Sequence, residues 1–252
     1  MSSALRLENV DKKFGGVVAS KNVSFSMEAG TIHGLIGPNG AGKTTTMNII
    51  SGIYAPDSGR IFLGDTDITH VPAHKRPHMG LARTFQTPRF LERSTICDNM
   101  LLGTDLAENI GYFRSFFSRA SRQFTEELEY YMQYAGFDID LEKDITSLTY
   151  GQMKILEIVR SLLTHPKVML VDEPAAGLIS KEQNDAMKLL SIAAKEKNIA
   201  VLLIEHSMDL VMSSCEQIVV LNFGEVIAQG TPEEISSNED VIAAYLGRDI
   251  DA

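Results

Sequence analysis

An α/β fold built around a parallel sheet is what this sequence predicts, and three observations predict it. Apolar runs of strand length alternate with helix-patterned stretches over much of the chain. One such run, Thr31 to Ile36, passes through the glycine-rich turn Gly37-Pro38-Asn39-Gly40-Ala41-Gly42-Lys43-Thr44 into a helix expected over Thr45 to Ser51. Another, Val168 to Val171, ends in Asp172-Glu173-Pro174. Strands of a parallel sheet are buried on both faces and present polar residues at their carboxyl ends.

Taken in order, Leu5 to Val10 and Asn22 to Met27 read as two strands, the second alternating Val23, Phe25 and Met27 with polar residues. Phe14 is placed on a loop between them, where it could stack on an adenine ring. After the glycine-rich loop and its helix, Pro56, Asp57 and Gly59 mark a turn, and strands follow at Arg60 to Leu63 and Leu81 to Phe85. From Thr87 to Thr164 the pattern is mostly helical: Thr95 to Leu102, Arg122 to Ala135 and Gln152 to Leu163. This reads as a helical insertion, residues 87–164, in an α/β domain made of 1–86 and 165–252. The α/β pattern then resumes with a helix at Lys181 to Lys195 and a β-branched strand, Ile199 to Ile204, ending at Glu205-His206. Met208 to Ser213 reads as a helix. A hairpin turning at Asn222-Phe223-Gly224 follows, then a helix start at Thr231-Pro232-Glu233-Glu234.

Composition excludes several classes. The chain has 252 residues and is 44% hydrophobic, enough for a sizeable core. Its formal net charge of −10 argues against a broad nucleic-acid surface. No apolar run reaches the length of a membrane span, and the N-terminus lacks the basic and apolar regions of a signal peptide. Cys97 and Cys215 are far apart and lack metal-ligand spacing, as expected of ordinary thiols in a reducing compartment.

The chemistry starts at residues 37–44, which fit the pattern of Gly, four residues, Gly, Lys, Ser/Thr. Backbone amides from Asn39 through Gly40, Ala41, Gly42, Lys43, Thr44 and Thr45 would cradle phosphates at a helix N-terminus. Lys43 would reach the β- and γ-phosphates and the Thr44 hydroxyl would ligate Mg²⁺. Asp172 would hold the same ion and Glu173 would polarise the attacking water. Gln86 lies at the edge of the helical insertion, where it could sense Mg²⁺ or that water. His206 ends a strand, where an imidazole can donate to a γ-phosphate. Leu148-Thr149-Tyr150-Gly151-Gln152 opens a helix that offers a second phosphate-binding edge.

The order of these features closely resembles the ATP-binding subunit of an ABC transporter over essentially the whole chain. That resemblance implies a P-loop NTPase fold: a RecA-like core with a parallel sheet, an antiparallel β subdomain and an inserted α-helical subdomain. It also implies ATP and Mg²⁺ as cofactors. A head-to-tail dimer with a second ATPase subunit, the same chain or a paralogue, follows, in which the P-loop of one subunit faces Thr149, Gly151 and Gln152 of the other. The family pattern at that helix start is Leu-Ser-Gly-Gly-Gln; here Thr149 keeps a hydroxyl and Tyr150 replaces the first Gly. After Glu173 the family has Ser-Ala-Leu-Asp, and this chain has Ala176-Gly177-Leu178-Ile179, so the coupling Asp is lost. Arg83-Thr84-Phe85-Gln86, residues 172–178, Glu205 to Met212 and the closing Ala244-Tyr245-Leu246-Gly247 resemble the branched-chain amino-acid import ATPases. That implies integral membrane permease subunits as partners, at the cytoplasmic face of the cell membrane. Phe90, Leu91 and Ile96 are candidates for the docking groove, and the aromatic and basic run at 111–122 for a position near lipid or permease. A soluble ATPase of the same family and a small-molecule P-loop kinase are the rivals. The kinase would need neither the Gly-Gln helix start nor the His-ended strand. A silent binding module is disfavoured because both Lys43 and Glu173 are present.

Overall fold

The computed structural model describes residues 3–102 and 119–246. The run at 111–118 therefore lies outside the described residues. Two sheets carry the chain. The first is antiparallel, in the order β2-β1-β4-β5, from β1 (Leu5–Phe14), β2 (Val17–Met27), β4 (Ser58–Leu63) and β5 (Thr66–Asp67). The second has the order β10-β9-β3-β8-β7-β6, from β3 (Ile32–Ile36), β6 (Leu81–Arg83), β7 (Val168–Asp172), β8 (Ala200–Ile204), β9 (Gln217–Asn222) and β10 (Glu225–Gly230). Within it, β9, β3, β8, β7 and β6 pair in parallel, and β10 closes one edge antiparallel to β9.

The central strands are apolar throughout because both faces are covered. Val201 and Leu203 of β8 join one core with Met169, Val171, Ile218 and Val220. Their alternate neighbours Leu202 and Ile204 join the other with Leu170, Val219 and Leu221. Successive strand side chains point to opposite faces, so one strand feeds both cores. The first core is roofed by α4 (Tyr150–Leu162) and α5 (Ser180–Lys195), with Phe124, Leu128 and Tyr131 of α3 (Arg119–Met132) behind them. The second takes Met47, Ile49 and Ile50 of α1 (Lys43–Ile50) and Leu5, Leu7 and Ile61 of the antiparallel sheet. The remaining described helices are α2 (Ile96–Leu101), α6 (Met208–Ser214), α7 (Pro232–Ser236) and α8 (Glu239–Leu246).

Two expectations are corrected here. Phe14 is not on a loop: β1 and β2 continue as one hairpin, with Phe14 paired to Val17. Register shifts after Leu7 and around Val10 and Lys12, with left-handed Asn9 and Asn22, break the alternation that would have shown it. Ile96 cannot line a groove, because it is 1% exposed in the core.

Candidate functional site

The loop after β3 is shaped by glycines that nothing else could replace. Gly37 has φ 148°, and a Cβ there would sit 2.0 Å from the Leu221 carbonyl oxygen. Gly42 has φ 104°, and its Cβ would sit 2.4 Å from the Ala19 carbonyl oxygen. Both positions therefore demand glycine. Gly42 is the N-cap of α1, which has no side-chain cap and no acidic residue in its first turn. The positive end of α1 is left for an external anion. Lys43 folds along the loop, its ammonium donating to the carbonyls of Gly37 at 2.6 Å and Pro38 at 3.1 Å.

Residues 39–45 line a cavity of about 310 Å³, with Glu173, His206 and Val17 to Ala19 on its other walls. That volume suits a small ligand. Phe14 is not on this wall; its ring packs edge-on against Tyr54 with centroids 5.0 Å apart. Val17 and Val18 take the place expected of it.

Glu173 is clamped from two sides. Gln86 Nε2 donates to its Oε2 at 2.8 Å, and His206 Nε2 lies 2.7 Å from its Oε1. Its backbone is left-handed, φ 49°, an uncommon state for a non-glycine residue. Such strain belongs where a side chain must be aimed. Beside it, Asp172 is nearly buried, and its backbone N–H donates to Thr84 Oγ1 at 3.3 Å. Burial pushes the Asp172 carboxyl above the usual range; the guanidinium of Arg83, 3.5 Å from Oδ2, opposes that, and the negative charge of Glu173 adds to it. Thr44 is exposed at the start of α1. Among the described residues no cluster of three His, Cys, Asp or Glu could hold a metal ion unaided. The donors present, one hydroxyl and one carboxylate, fit a hard cation that keeps phosphate oxygens and water in its shell.

Thr149, Gly151 and Gln152 lie elsewhere. Thr149 N-caps α4 in a capping box: its Oγ1 accepts from Gln152 N–H at 3.2 Å, and Gln152 Oε1 accepts from Thr149 N–H at 2.9 Å. Gly151 is buried, and a Cβ would meet the Glu182 carboxylate at 2.3 Å. None of the three lines the P-loop cavity.

A phosphate loop, a clamped carboxylate and a distant Thr149-capped helix start carrying Gly151 are the parts of an ATP-binding cassette. The ABC transporter family model matches residues 20–176. The chain belongs to that family. As an ABC ATPase it couples ATP hydrolysis to transport, and a model for the C-terminal part of branched-chain amino-acid ATP-binding cassette transporters matches residues 225–251. It is 38% identical to the high-affinity branched-chain amino acid transport ATP-binding protein BraF of Pseudomonas aeruginosa over 248 residues, 96% of this chain and 97% of that one. It is 37% identical to LivG of Escherichia coli over the same shares. Among solved structures it resembles the ADP conformation of MJ1267, an ATP-binding cassette of an ABC transporter. The TM-score is 0.83 at 32% identity, covering 98% of this chain and 100% of that one.

Sequence reasoning missed several residues of this ABC ATPase's site. Arg83 appeared only as part of a motif, yet it joins Asp172 to Asn48 Oδ1 and Ser51 Oγ, each at 2.7 Å. Glu205 holds the turn after Glu173, accepting from Ala175 N–H at 2.7 Å. Lys154, 3% exposed, donates to the Glu173 carbonyl at 2.5 Å. Arg83 and Glu205 stood within motifs and Lys154 in none, and the role of each depends on contacts across the sheet.

Proposed function

We propose that this ATPase drives import of branched-chain amino acids from the cytoplasmic face of the cell membrane. It would work as a nucleotide-sandwich dimer bound to integral permease subunits. The observation that carries the catalytic reading is Glu173, held by Gln86 and His206 on the wall of the P-loop cavity.

Phosphoryl transfer needs placement and electrostatics more than covalent help. Lys43 and the amides of 39–45 hold the phosphates. Thr44 and Asp172 would hold Mg²⁺, with the Gln86 amide oxygen as a third donor, and the ion when bound would neutralise charge on the phosphate oxygens. Glu173 takes a proton from the attacking water as that oxygen bonds to the γ-phosphorus and the bond to the β,γ-bridging oxygen breaks. ADP leaves with the electron pair. His206 steadies the γ-phosphate and the carboxylate together. Thr149 and Gly151 of a second subunit would close the site, consistent with their separation from the P-loop within one chain. Glu173→Gln is expected to keep ATP binding, reduce turnover by about 10²- to 10⁴-fold and accumulate a nucleotide-bound dimer. Unchanged steady-state hydrolysis would overturn the assignment.

A second cavity, about 370 Å³, fits the permease contact. It lies between the end of α1, β6 and α4, with Ile53, Phe85, Leu102 and Arg160 on its walls. Phe85 and Leu102 are exposed apolar side chains there, whereas Phe90 is packed under the Arg160 guanidinium, 4.5 Å from its ring centroid. Leu91 is exposed and stays a candidate, and we add Phe85 and Leu102 to the docking surface. Leu102→Asp should abolish copurification with the permease while the free subunit still hydrolyses ATP.

A further inference from the structure

We propose that Lys154 is a positioning residue for Glu173: through it, the start of α4 sets the catalytic carboxylate of the same chain. The proposal rests on Glu173 being the base. Five contacts fix Glu173. Two act on its carboxylate, from Gln86 and His206. One is its own N–H, which donates to the Ile204 carbonyl at 2.9 Å. The fourth is the Lys154 ammonium on its carbonyl, and the fifth is the Ala176 N–H of the following turn, 3.2 Å from the same oxygen. The first three come from strand ends of the parallel sheet. Only the fourth comes from α4, the helix that opens with Thr149 and Gly151.

A buried ammonium is costly unless it is well paired. Lys154 stands among Glu205, Glu157, Glu173 and Asp172, whose charges favour the ammonium against burial. Yet its hydrogen bond goes to a backbone carbonyl. Charge balance alone would be served by a carboxylate partner. A bond to the carbonyl fixes the main chain at the left-handed residue, and so the direction of the side chain.

Tyr150 adds a second link from the same helix turn. Its hydroxyl donates to the Gln86 carbonyl at 3.4 Å, and Gln86 in turn holds Glu173. Tyr150 stands where the family pattern has glycine, and Ile179 stands where it has the coupling Asp. A pull on the α4 start from a second subunit's nucleotide therefore reaches Glu173 by a route inside one chain. This route does not use position 179.

The test is steady-state and single-turnover hydrolysis by the full-length protein. Lys154→Met should lower kcat by about 10- to 100-fold, the cost of a small misplacement of a catalytic group. KM for ATP should stay within about twofold, and Lys154→Arg, which keeps a donor, should restore most of kcat. In a Glu173→Gln background, Lys154→Met should add no further loss in the single-turnover rate, because the two act as a unit. Full activity of Lys154→Met overturns the proposal. So does a loss that multiplies unchanged onto Glu173→Gln, or one that Arg does not relieve. If Lys154→Met does not fold, Tyr150→Phe serves: the side chain is 42% exposed and only the bond to Gln86 is removed. Its kcat should fall about 2- to 10-fold at constant KM, the worth of one hydrogen bond, and an unchanged kcat overturns the proposal. If Glu173→Gln itself hydrolyses ATP normally, the assignment of the base has failed rather than the role of Lys154.

Discussion

Replacing Arg76 should unseat the helix behind the P-loop. Arg76 is 1% exposed. Its guanidinium makes four hydrogen bonds, all to main-chain carbonyls: Nη1 to Ile49 at 2.9 Å and Ile50 at 2.5 Å, Nε to Val71 at 2.9 Å, and Nη2 to Thr69 at 3.3 Å. Ile49 and Ile50 end α1, which has no basic residue of its own in its last turn. Arg76 thus satisfies orphan carbonyls and meets the negative end of the helix dipole. Burial pushes its pKa down to about 10, so the group is still cationic at neutral pH. In Arg76→Met the aliphatic stem remains and the carbonyls lose their donor. Ile49 keeps the Gly52 N–H at 3.0 Å, and each buried unpaired acceptor costs about 1–3 kcal/mol, so the other three set a ceiling of about 9 kcal/mol. Water can enter from the neighbouring cavity, whose wall includes Arg76, and re-pair some of them. The expected loss is then about 3–5 kcal/mol, the usual range for breaking a buried charged network. Urea unfolding followed by circular dichroism measures it. Arg76→Lys should recover part of the loss, since an ammonium has three donors but no fork to span both sides. A loss below about 1 kcal/mol for Met, or equal losses for Met and Lys, would refute the capping argument.

Two further outcomes follow from the same contacts. Gly37→Ala should cost about 3 kcal/mol or more and abolish ATP binding, because its Cβ meets a backbone oxygen. Gly40→Ala, at φ 78° with open space, should cost only about 1–2 kcal/mol, and denaturation curves of the two variants separate them. Asp172 gives a pH test. Its folded-state pKa is raised, mainly by burial, so the native state holds a proton over a window where the unfolded chain has lost it. Stability therefore falls as pH rises from the ordinary aspartate value of 3.8 through the raised value. Asp172→Asn should raise Tm at neutral pH, the gain shrinking on acidification through that window. A gain independent of pH, or a lower Tm at neutral pH, would contradict the sign.

The parts of the fold that the sequence disclosed are those where one local pattern had one meaning. The apolar strands β3, β7 and β8 lie within a residue of their expected bounds, since strands buried on both faces have no polar alternation to be misread. The β1–β2 hairpin was cut short because left-handed Asn9 and Asn22 and polar Lys12 and Lys13 hide its period. The two-residue β5 is too short to have a period at all. Within the site, Gln86, Glu173 and His206 were each identified at the end of a strand, but their mutual contacts depend on strand order. β6, β7 and β8 are adjacent in the sheet and far apart in the chain. Arg76 and Lys154 were invisible for a different reason. A lone basic residue in a turn or helix ordinarily points to water, and only the finished packing shows it aimed at carbonyls.

The helix start at 149–152 shows how far local chemistry explains a motif. Thr149 and Gln152 complete a capping box, and Gly151 leaves room for the Glu182 carboxylate, which in turn accepts from the Ile179 N–H at 3.2 Å. Those duties account for three residues without any nucleotide. They leave Ile179, 66% exposed, without a local reason, and Tyr150, 42% exposed, with only its hydroxyl bonded, to the Gln86 carbonyl. Tyr150 packs beside Gly177, two residues before Ile179 in the chain: a Cβ added at Gly177 would lie 3.3 Å from the Tyr150 ring. Exposed apolar side chains gathered at one edge mark a surface that another molecule covers. A polar residue at 179 would suit a face turned to water; an isoleucine suits one that a second ATPase subunit buries. The departure at 179 therefore supports the paired reading of the site, while Lys154 supplies a link between α4 and Glu173 that does not require an Asp there.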